Sequence, residues 1–318
     1  MADRLTHMRI VALAGGIGGA RFLRGVQHAV PDADLTVVVN TGDDTTLYGL
    51  RICPDLDTVM YTLGGGIDEE RGWGRQDESW RAKQELAAYG SPTAWFGLGD
   101  RDLATHLRRT QLMLGGGSLT EVTRSLCERW QPGATLLPMS DVQAETHVTV
   151  TDPETGQRRA MHFQEWWIRH RAALPAESIT LVTHNELLPA PGVLEAIKAA
   201  DVVLLPPSNP VVSVGTILQV KGVRDALTSK RVVGVSPIIG GAPVRGMADA
   251  CLAAIGVETS AEAVGRHYGS DLLDGWLVDT TDAGVEVPGV EVRAVPLLMT
   301  DLEATAAMAR AALDLAGV

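Results

Sequence analysis

The chain has 318 residues, of which 45% are hydrophobic and 21% are charged. This length suits roughly two average domains or one large α/β domain. The composition excludes a disordered chain, which would lack the apolar surface needed to offset the entropy of ordering. Lys and Arg number 27 against 39 Asp and Glu, so the net charge is −12. Nucleic-acid binding needs a basic surface, and we therefore expect none.

The three cysteines, Cys53, Cys127 and Cys251, lie far apart and form no CxxC pair. This spacing argues against a zinc ribbon and a disulfide framework. Cys53 is interpreted as a packed apolar thiol in preference to a nucleophile. No apolar run approaches the roughly 20 residues that a membrane-spanning helix requires. We therefore expect a cytoplasmic protein without a membrane partner.

The chain begins with a strand, a glycine turn and a helix. Residues 9–14 are apolar, residues 15–19 are rich in glycine, and residues 20–30 carry apolar side chains at helical spacing. A second strand is predicted at 35–39. Further apolar strands follow, most of them separated by helical patterns: strands at 179–182, 202–205, 232–235 and 292–295, and helices at 193–200, 247–255 and 301–316. This alternation predicts an α/β fold with a Rossmann-like, doubly wound, mainly parallel sheet.

The middle of the chain has a different pattern. Its predicted elements are three consecutive helices and the two strands of a hairpin: 77–89, 100–114, 119–130, 146–151 and 159–163. Residues 152–156 supply the hairpin turn. We therefore divide the chain approximately into a core for nucleotide and donor binding, 1–66 with 172–318, and a mostly helical insertion with a β-hairpin, 67–171.

The glycine turn contains Gly15, Gly16, Gly18 and Gly19. Backbone N–H groups in such a turn can approach a phosphate at the positive end of the following helix. The dinucleotide pattern GxGxxG fails because Arg21 occupies the third glycine position, and no P-loop Lys follows. A tight turn without a ligand is the alternative. Four glycines in five residues exceed what a turn requires, so we favour phosphate binding.

Acidic residues follow the second strand and recur shortly afterwards. Asp43 and Asp44 lie directly after it, and Asp55 and Asp57 precede a helical pattern. Carboxylates beside a phosphate loop suggest Mg²⁺, which typically bridges carboxylate and phosphate oxygens. Asp55 could instead cap the helix. We therefore predict Asp43 and Asp57 as the metal ligands.

Other polar residues offer weaker indications. In Gly99-Asp-Arg-Asp-Leu-Ala-Thr-His106, Arg101 and His106 do not share a helical face. A well-capped surface helix, with Asp100 as N-cap and Asp102 as a first-turn acid, is the alternative there. Ser208 and Asn209, like Ser236, directly follow apolar strands. They can hold phosphate or ribose by hydrogen bonds.

Together these segments resemble one family. The motifs on which the resemblance rests occur in order along nearly the whole chain: Gly15-Gly-Ile-Gly-Gly-Ala-Arg-Phe-Leu23, Asn40-Thr-Gly-Asp-Asp44, Pro54-Asp-Leu-Asp-Thr58, the segment 99–106, His162-Phe-Gln-Glu-Trp-Trp167, Pro207-Ser-Asn-Pro-Val-Val-Ser213 and Ser236-Pro-Ile-Ile-Gly240. The chain is similar to the CofD/FbiA family, the transferases of deazaflavin coenzyme F-420 biosynthesis. The residues of these motifs are most similar to those of the actinobacterial branch of the family.

The resemblance implies a Rossmann-like fold, Mg²⁺ dependence and a homodimer. It implies as donor a three-carbon acid joined through a diphosphate to guanosine. It implies as acceptor Fo (7,8-didemethyl-8-hydroxy-5-deazariboflavin), whose terminal ribityl hydroxyl attacks the phosphate next to the acid so that GMP leaves. The branch implies an enolpyruvyl donor and a dehydro-F-420-0 product, but no residue physically excludes a lactyl donor and the product F-420-0.

The residue roles expected on this basis complete the prediction. Asp43 and Asp57 hold the metal, Asp57 or Asp55 orients the ribityl hydroxyl, and Arg101 contacts Fo or the donor carboxylate. The catalytic set is therefore Asp43, Asp57 and Arg101. The substrate-binding set is Gly15, Gly16, Gly18, Gly19, Asn40, Asp44, Asp55, Thr58, Asp102, His106, Ser208, Asn209 and Ser236.

Two other functions remain open at this point. The strand–glycine–helix start is compatible with an NAD-dependent dehydrogenase, against which the broken GxGxxG pattern counts. The glycine loop and the Asp-Asp turn also resemble the nucleotide-sugar-binding regulators of the gluconeogenesis-factor type.

Seven of the 14 aromatic residues are Trp. Among them, Trp73, Trp80, Trp95, Trp166 and Trp167 fall in the predicted insertion and its hairpin. Core packing is their default role, but we expect a deazaflavin wall on that side.

Overall fold

A computed structural model describes residues 8–318, so residues 1–7 of the predicted core lie outside the described range. Seven strands form the central sheet: β1 (Arg9–Ala14), β2 (Asp34–Val39), β5 (Thr135–Pro138), β9 (Val202–Leu205), β10 (Val232–Val235), β13 (Gly275–Val278) and β14 (Glu291–Ala294). Their order is β14-β13-β10-β9-β1-β2-β5, and every neighbouring pair is parallel. The predicted α/β class with a doubly wound parallel sheet is confirmed.

Helices cover both faces of this sheet because its strands are apolar on both faces. Along β1, Ile10, Ala12 and Ala14 belong to one buried cluster, whereas Val11 and Leu13 belong to another. The helices are α1 (Gly16–Ala29), α2 (Pro54–Leu63), α3 (Arg81–Ala88), α4 (Asp100–Leu114), α5 (Leu119–Trp130), α6 (Val193–Ala199), α7 (Gly215–Ile217), α8 (Val223–Leu227), α9 (Ala248–Ala254), α10 (Ala261–Tyr268) and α11 (Leu302–Ala316), with π-helical turns at Glu165–Arg169 and Pro210–Val214 and a 3-10 turn at Thr280–Asp282. Within residues 8–318, none of these helices has the length and apolar character to cross a membrane.

The predicted hairpin forms, but its sheet contains a strand that we assigned to the parallel sheet. β6 (Ala144–Thr151) pairs antiparallel with β7 (Arg158–His162) on one side and with β8 (Ala176–Thr183) on the other. Residues 179–182 therefore lie in this three-stranded sheet, and their assignment to the parallel sheet was wrong. Side chains along β8 largely alternate between partly buried and exposed, as expected for an antiparallel strand with one face against a core.

The middle of the chain also contributes to the central sheet. β5, which the sequence did not predict, pairs with β2 at the sheet edge. Leu119, Val122 and Leu126 of α5 belong to the same buried cluster as Ile10 of β1. The predicted helix at 77–89 is shorter and begins at Arg81. Two short hairpins complete the strands: β3 (Thr45–Leu47) with β4 (Leu50–Ile52), and β11 (Ile238–Ile239) with β12 (Ala242–Pro243).

The strand order positions the site. β1 lies between β2 and β9, and the chain order of the strands reverses at β1 and β9. Ligands of open α/β sheets bind at such a switch point, outside the carboxyl ends of the strands. The turn after β1 and the loop after β9 therefore meet at the expected position for a ligand.

Candidate active site

A cavity of about 900 Å³ lies at the carboxyl ends of the parallel strands. Its wall includes Gly15 after β1, Asp43 after β2, Ser208 after β9 and Ser236 after β10. Sites for small molecules and cofactors usually have volumes of about 300–1,000 Å³, so the cavity has room for a large ligand or for two smaller ones.

The glycine turn is held by hydrogen bonds to two other loops. The hydroxyl of Ser208 donates to the carbonyl of Gly15 at 2.8 Å and accepts from its N–H at 3.2 Å. The N–H of Gly16, which has φ +64°, donates to Oδ1 of Asp55 at 2.9 Å. A Cβ on Gly18 would lie 2.7 Å from the carbonyl oxygen of Pro207, and one on Gly19 would collide with the Ser208 hydroxyl. Close packing thus accounts for glycines that we had attributed to phosphate binding, which stays a prediction.

Asp55 is one of the residues that hold the glycine turn in place, and it does not cap α2. Cys53 occupies the N-cap position, and Asp55 lies in the first turn. Besides Gly16, it accepts a hydrogen bond from Nδ2 of Asn40 at 2.9 Å. Burial raises the pKa of Asp55 to about 6, although these hydrogen bonds oppose the rise. Asp55 therefore positions the glycine turn against α2.

Asp43 is a buried carboxylate without a compensating cation among the described residues. It is 4% exposed, and its Oδ1 is buried and has no hydrogen-bond partner. Burial, together with the negative charges of Asp55 and Asp44, raises its pKa well above the usual range. The neighbouring Asp44 differs, because it forms an ion pair with Arg51 at 2.9 Å.

Two further acidic residues of the cavity wall, Asp57 and Asp102, are linked by contacts with His106 and Arg109 of α4. Both carboxylate oxygens of Asp57 accept hydrogen bonds from Arg109, the bond to Oδ2 measuring 3.0 Å. Arg109 Nη1 also lies 3.2 Å from Nδ1 of His106. Nε2 of His106 lies 3.3 Å from Oδ2 of Asp102, whose Oδ1 accepts a hydrogen bond from the hydroxyl of Tyr61 at 2.7 Å.

Burial and these partners act in opposite directions on the two carboxylates. Burial raises the pKa of Asp57, and the positive charge of Arg109 opposes the rise. Burial alone would also raise the pKa of Asp102, but His106 and the hydrogen bond from Tyr61 lower it below the usual value. Asp102 is therefore held as an ionised carboxylate at the cavity wall.

The remaining wall is aromatic and cationic. Trp73, Phe96, Phe163 and Trp167 line the cavity. Three arginines also line it: Arg21, Arg71 and Arg245. Arg71 lies over the rings of Trp73 and Trp80 at 5.5 and 5.3 Å from their centroids. The cavity thus combines apolar rings with planar cations that suit phosphate and carboxylate groups.

Comparison with known proteins identifies the family. Residues 10–297 match the family described as 2-phospho-L-lactate transferase CofD. This chain belongs to the CofD family. It is 64% identical over 317 residues to a phosphoenolpyruvate transferase of Thermobifida fusca, a match that covers 97% of this chain and 98% of the relative. It is 61% identical over 320 residues to one of Nocardia farcinica, covering 98% of this chain and 96% of the relative.

A solved structure shares the fold of this CofD-family chain. The crystal structure of a UPF0052-family protein from Bacillus halodurans superposes with a TM-score of 0.62 at 19% identity, covering 96% of this chain and 99% of that chain. The family match and the names of the relatives confirm the resemblance and identify the chain as a transferase, consistent with F-420 biosynthesis. They do not support the dehydrogenase or the binding regulator.

Most residues that we predicted for the site of this CofD-family enzyme line the cavity: Gly15, Gly16, Gly18, Asp43, Asp55, Asp57, Thr58, Asp102, His106, Ser208, Asn209 and Ser236. Gly19, Asn40 and Asp44 lie behind the wall. Asn40 donates to Asp55 and to the carbonyl of Val212 at 3.1 Å, so it acts on the site through Asp55.

Arg101 does not line the cavity. Its guanidinium is half exposed and lies 3.8 Å from the carboxylate of Asp77, so its geometry gives no support to the predicted catalytic role. Asp100 does not cap its own helix, for which Gly99 occupies the N-cap position. Its carboxylate instead accepts hydrogen bonds from the N–H groups of Arg81 and Ala82 at the start of α3.

Sequence reasoning missed Arg109 and Tyr61. The spacing of Asp102, His106 and Arg109 places them on one face of α4, and this pattern could have indicated Arg109. Arg101 and His106 lie on different faces of α4, whereas His106 and Arg109 share one face. Two arginines of the cavity wall, Arg71 and Arg245, gave no comparable pattern, because they lie in irregular loops.

Proposed function

We propose that this CofD-family transferase moves a phosphoenolpyruvyl group from a guanosine-diphosphate-linked donor to the terminal ribityl hydroxyl of Fo, forming dehydro-F-420-0 and releasing GMP. The names of relatives at 64% and 61% identity support this choice of group. The observation that carries the proposal is one cavity whose wall combines a helix-initiating glycine turn, a buried carboxylate without a cationic partner among the described residues, and aromatic rings.

The cations of the wall support anionic substrates. Phosphoryl transfer depends mostly on positioning and on neutralising charge. Arg21 donates to the carbonyl of Glu69 at 2.7 Å, and Arg245 donates to that of Glu70 at 3.1 Å. These bonds, together with an ion pair between Arg21 and Glu69 at 3.5 Å, fix the side chains in the wall. Other N–H groups of each guanidinium remain for a phosphate or carboxylate. Local positive charge would thus offset the repulsion expected from a net charge of −12.

We propose Mg²⁺ as the cofactor, held by Asp43. The residue fits because its Oδ1 is buried without a partner and because Asp55, which has no ion pair within residues 8–318, adds further negative charge. Carboxylate and phosphate oxygens are the ligands that Mg²⁺ usually takes. When bound, the ion would neutralise charge on the donor diphosphate. We do not propose Asp57 again as a ligand, because Arg109 already neutralises it.

The aromatic wall supports a flat acceptor. Trp73 and Trp167 line the cavity and are 43% and 39% exposed. Exposed Trp faces in a cavity offer stacking surface to a ring system such as a deazaflavin. Trp166, in contrast, is fully buried in the core beside the hairpin sheet. Of these three tryptophans, we therefore assign Trp73 and Trp167 to the acceptor.

Mass spectrometry of the products tests the proposal. The purified chain is incubated with Fo, Mg²⁺ and either the enolpyruvyl or the lactyl donor. We expect the mass of dehydro-F-420-0 and equimolar GMP from the enolpyruvyl donor. Product from the lactyl donor alone would assign 2-phospho-L-lactate transfer, and absence of product from both would contradict the function. A homodimer remains a prediction, which sedimentation of the purified chain tests.

A further inference from the structure

Asp102 differs from Asp55 and Asp57, two other carboxylates of the cavity wall, in how its oxygens are used. Asp55 accepts hydrogen bonds on both oxygens from Gly16 and Asn40. Asp57 accepts bonds on both oxygens from Arg109. Asp102 accepts a well-formed side-chain bond only on Oδ1, from Tyr61. Its side chain is 11% exposed, compared with 7% for Asp57. Asp102 therefore has free acceptor capacity that faces the cavity.

The surroundings of His106 hold that carboxylate in place. A guanidinium can only donate, so the contact between Arg109 Nη1 and His106 Nδ1 requires a bare Nδ1. The other acceptor near Nδ1, Asp57 Oδ2, is 3.6 Å away and already bonded to Arg109. The neutral imidazole then carries its proton on Nε2, which lies 3.3 Å from Oδ2 of Asp102. Tyr61 fixes the opposite oxygen.

We propose that Asp102 accepts the hydrogen bond of the substrate hydroxyl that attacks phosphorus, and that Tyr61, His106 and Arg109 are positioning residues for it. The choice of hydroxyl, that of Fo, rests on the proposed function. The hydroxyl oxygen forms the new P–O bond, and the P–O bond to GMP breaks with its electron pair going to GMP. The hydroxyl proton passes to Asp102 and then to water. This replaces Asp57 and Asp55 in the role of orienting the hydroxyl.

Enzyme kinetics test the role of Asp102. Asp102→Asn keeps the size of the side chain but exchanges an acceptor for a donor. Since a hydrogen bond to a charged group contributes about 1.5–3 kcal/mol, we expect kcat to fall by about 10- to 100-fold, with the KM of the donor unchanged. Asp100→Asn is the matched control, because Asp100 lies on the same helix and caps α3. Equal kcat for both variants and the wild type would overturn the proposal.

The positioning residues need a readout that does not depend on turnover. In ¹⁵N-histidine-labelled wild type at neutral pH, with the signal assigned by its loss in His106→Gln, we expect Nε2 of His106 to be protonated and Nδ1 to be bare. A proton on Nδ1 would overturn the positioning role of His106 and Arg109. This spectrum is recorded without substrate, so it stays informative if the wild type fails to act on Fo and the proposed function is wrong.

Replacement of His106 separates positioning from acid–base chemistry. The side-chain amide of Gln places an N–H donor near Asp102, as a protonated Nε2 at 3.3 Å would, whereas Leu places none. We expect kcat of His106→Gln to exceed that of His106→Leu by about 10-fold, the equivalent of one hydrogen bond. If both variants lose activity equally, His106 takes part in another way, and its positioning role is wrong.

Discussion

Asp43 and Asp57 face the same cavity but differ in what neutralises them. Asp57 has Arg109, which is 1% exposed and binds both carboxylate oxygens. Asp43 has only hydrogen-bonding neighbours and two further carboxylates nearby. A buried charge without a cationic partner destabilises the fold, whereas the Mg²⁺ site that we propose requires the charge of Asp43.

Replacing Asp43 by Asn therefore has opposite effects on stability and on activity. The raised pKa means that the folded wild type binds more protons than the unfolded chain once pH exceeds the usual aspartate range. Its free energy of unfolding consequently falls as pH rises through the raised pKa. Since Asn cannot ionise, we expect Asp43→Asn to be more stable than wild type at about pH 8, with a smaller difference at about pH 5.

Urea denaturation in EDTA at both pH values measures this difference, with the exposed Asp32→Asn as control. If the variant is no more stable at the higher pH than at the lower one, the buried charge of Asp43 is not the cause. For turnover with Mg²⁺ we expect a loss of at least about 100-fold, since a metal contributes several kcal/mol to transition-state stabilisation.

The pair of Asp57 and Arg109 predicts a large loss of stability. Arg109→Met leaves Asp57 buried without its cation, and breaking a buried pair on one side costs about 3–5 kcal/mol. The control is Arg158→Met, which breaks an exposed pair with Glu177 at 2.8 Å and should cost less than about 1 kcal/mol. Urea denaturation compares the two. A loss for Arg109→Met no larger than that of the control would show that the pair does not stabilise the fold.

The residues that sequence reasoning found are those whose position follows from one strand end. Gly15, Asp43 and Ser208 lie in the turn or loop that follows a strand, and parallel strands bring their carboxyl ends to one edge. Arg109 could not be assigned this way, because its partner Asp57 lies 52 residues away on another helix. That contact depends on how α2 and α4 pack, which local pattern does not encode.

At the scale of elements, the glycine turn is a junction between β1, α1 and the loop after β9. A Cβ on Gly18 would lie 2.7 Å from the carbonyl oxygen of Pro207, and backbone at that distance cannot yield without moving the loop. We expect Gly18→Ala to lower the free energy of unfolding by about 1–3 kcal/mol through overpacking.

Thermal and urea unfolding measure this cost against a glycine with free space. A Cβ on Gly284 would have no atom within 4 Å, and this glycine has no positive φ. Gly284→Ala should therefore change stability by less than about 0.5 kcal/mol. Equal stability of the two variants would mean that the turn tolerates a side chain and that its glycines have another purpose.

Sequence predicted long elements better than short ones. The bounds of α4 and α5 agree with the predicted 100–114 and 119–130 because apolar periodicity marks both helices. A capping box of Ser118 with Glu121 also marks the start of α5. β5 and β8 carry weaker patterns. Four residues ending in Pro do not predict a strand, and an apolar run such as 179–182 does not reveal which sheet it joins.

At the scale of the whole molecule, the cavity is built by distant parts of the chain. The loops after β1, β2, β9 and β10 supply part of the polar wall, and residues between 67 and 171 supply most of the aromatic wall together with Asp102 and His106. The ring of Trp73 lies so close to Gly97 that a Cβ there would be 2.6 Å from its Cη2 atom. Trp73 is therefore held against a neighbouring loop and keeps a fixed position in the wall.

This arrangement predicts separate binding determinants for the two substrates. Aromatic pairs contribute about 0.5–1.5 kcal/mol beyond area burial, so we expect Trp73→Ala and Trp167→Ala each to raise the Kd for Fo by about 3- to 10-fold. The Kd for the guanosine-linked donor should stay unchanged, because we propose that the polar loops bind this substrate. Titration with Fo fluorescence measures the first constant and calorimetry the second.

Tyr89→Ala serves as control, since Tyr89 is 87% exposed and lies outside the cavity wall. If the Trp variants bind Fo as tightly as Tyr89→Ala, the deazaflavin ring does not stack on this wall, and the acceptor occupies another part of the cavity.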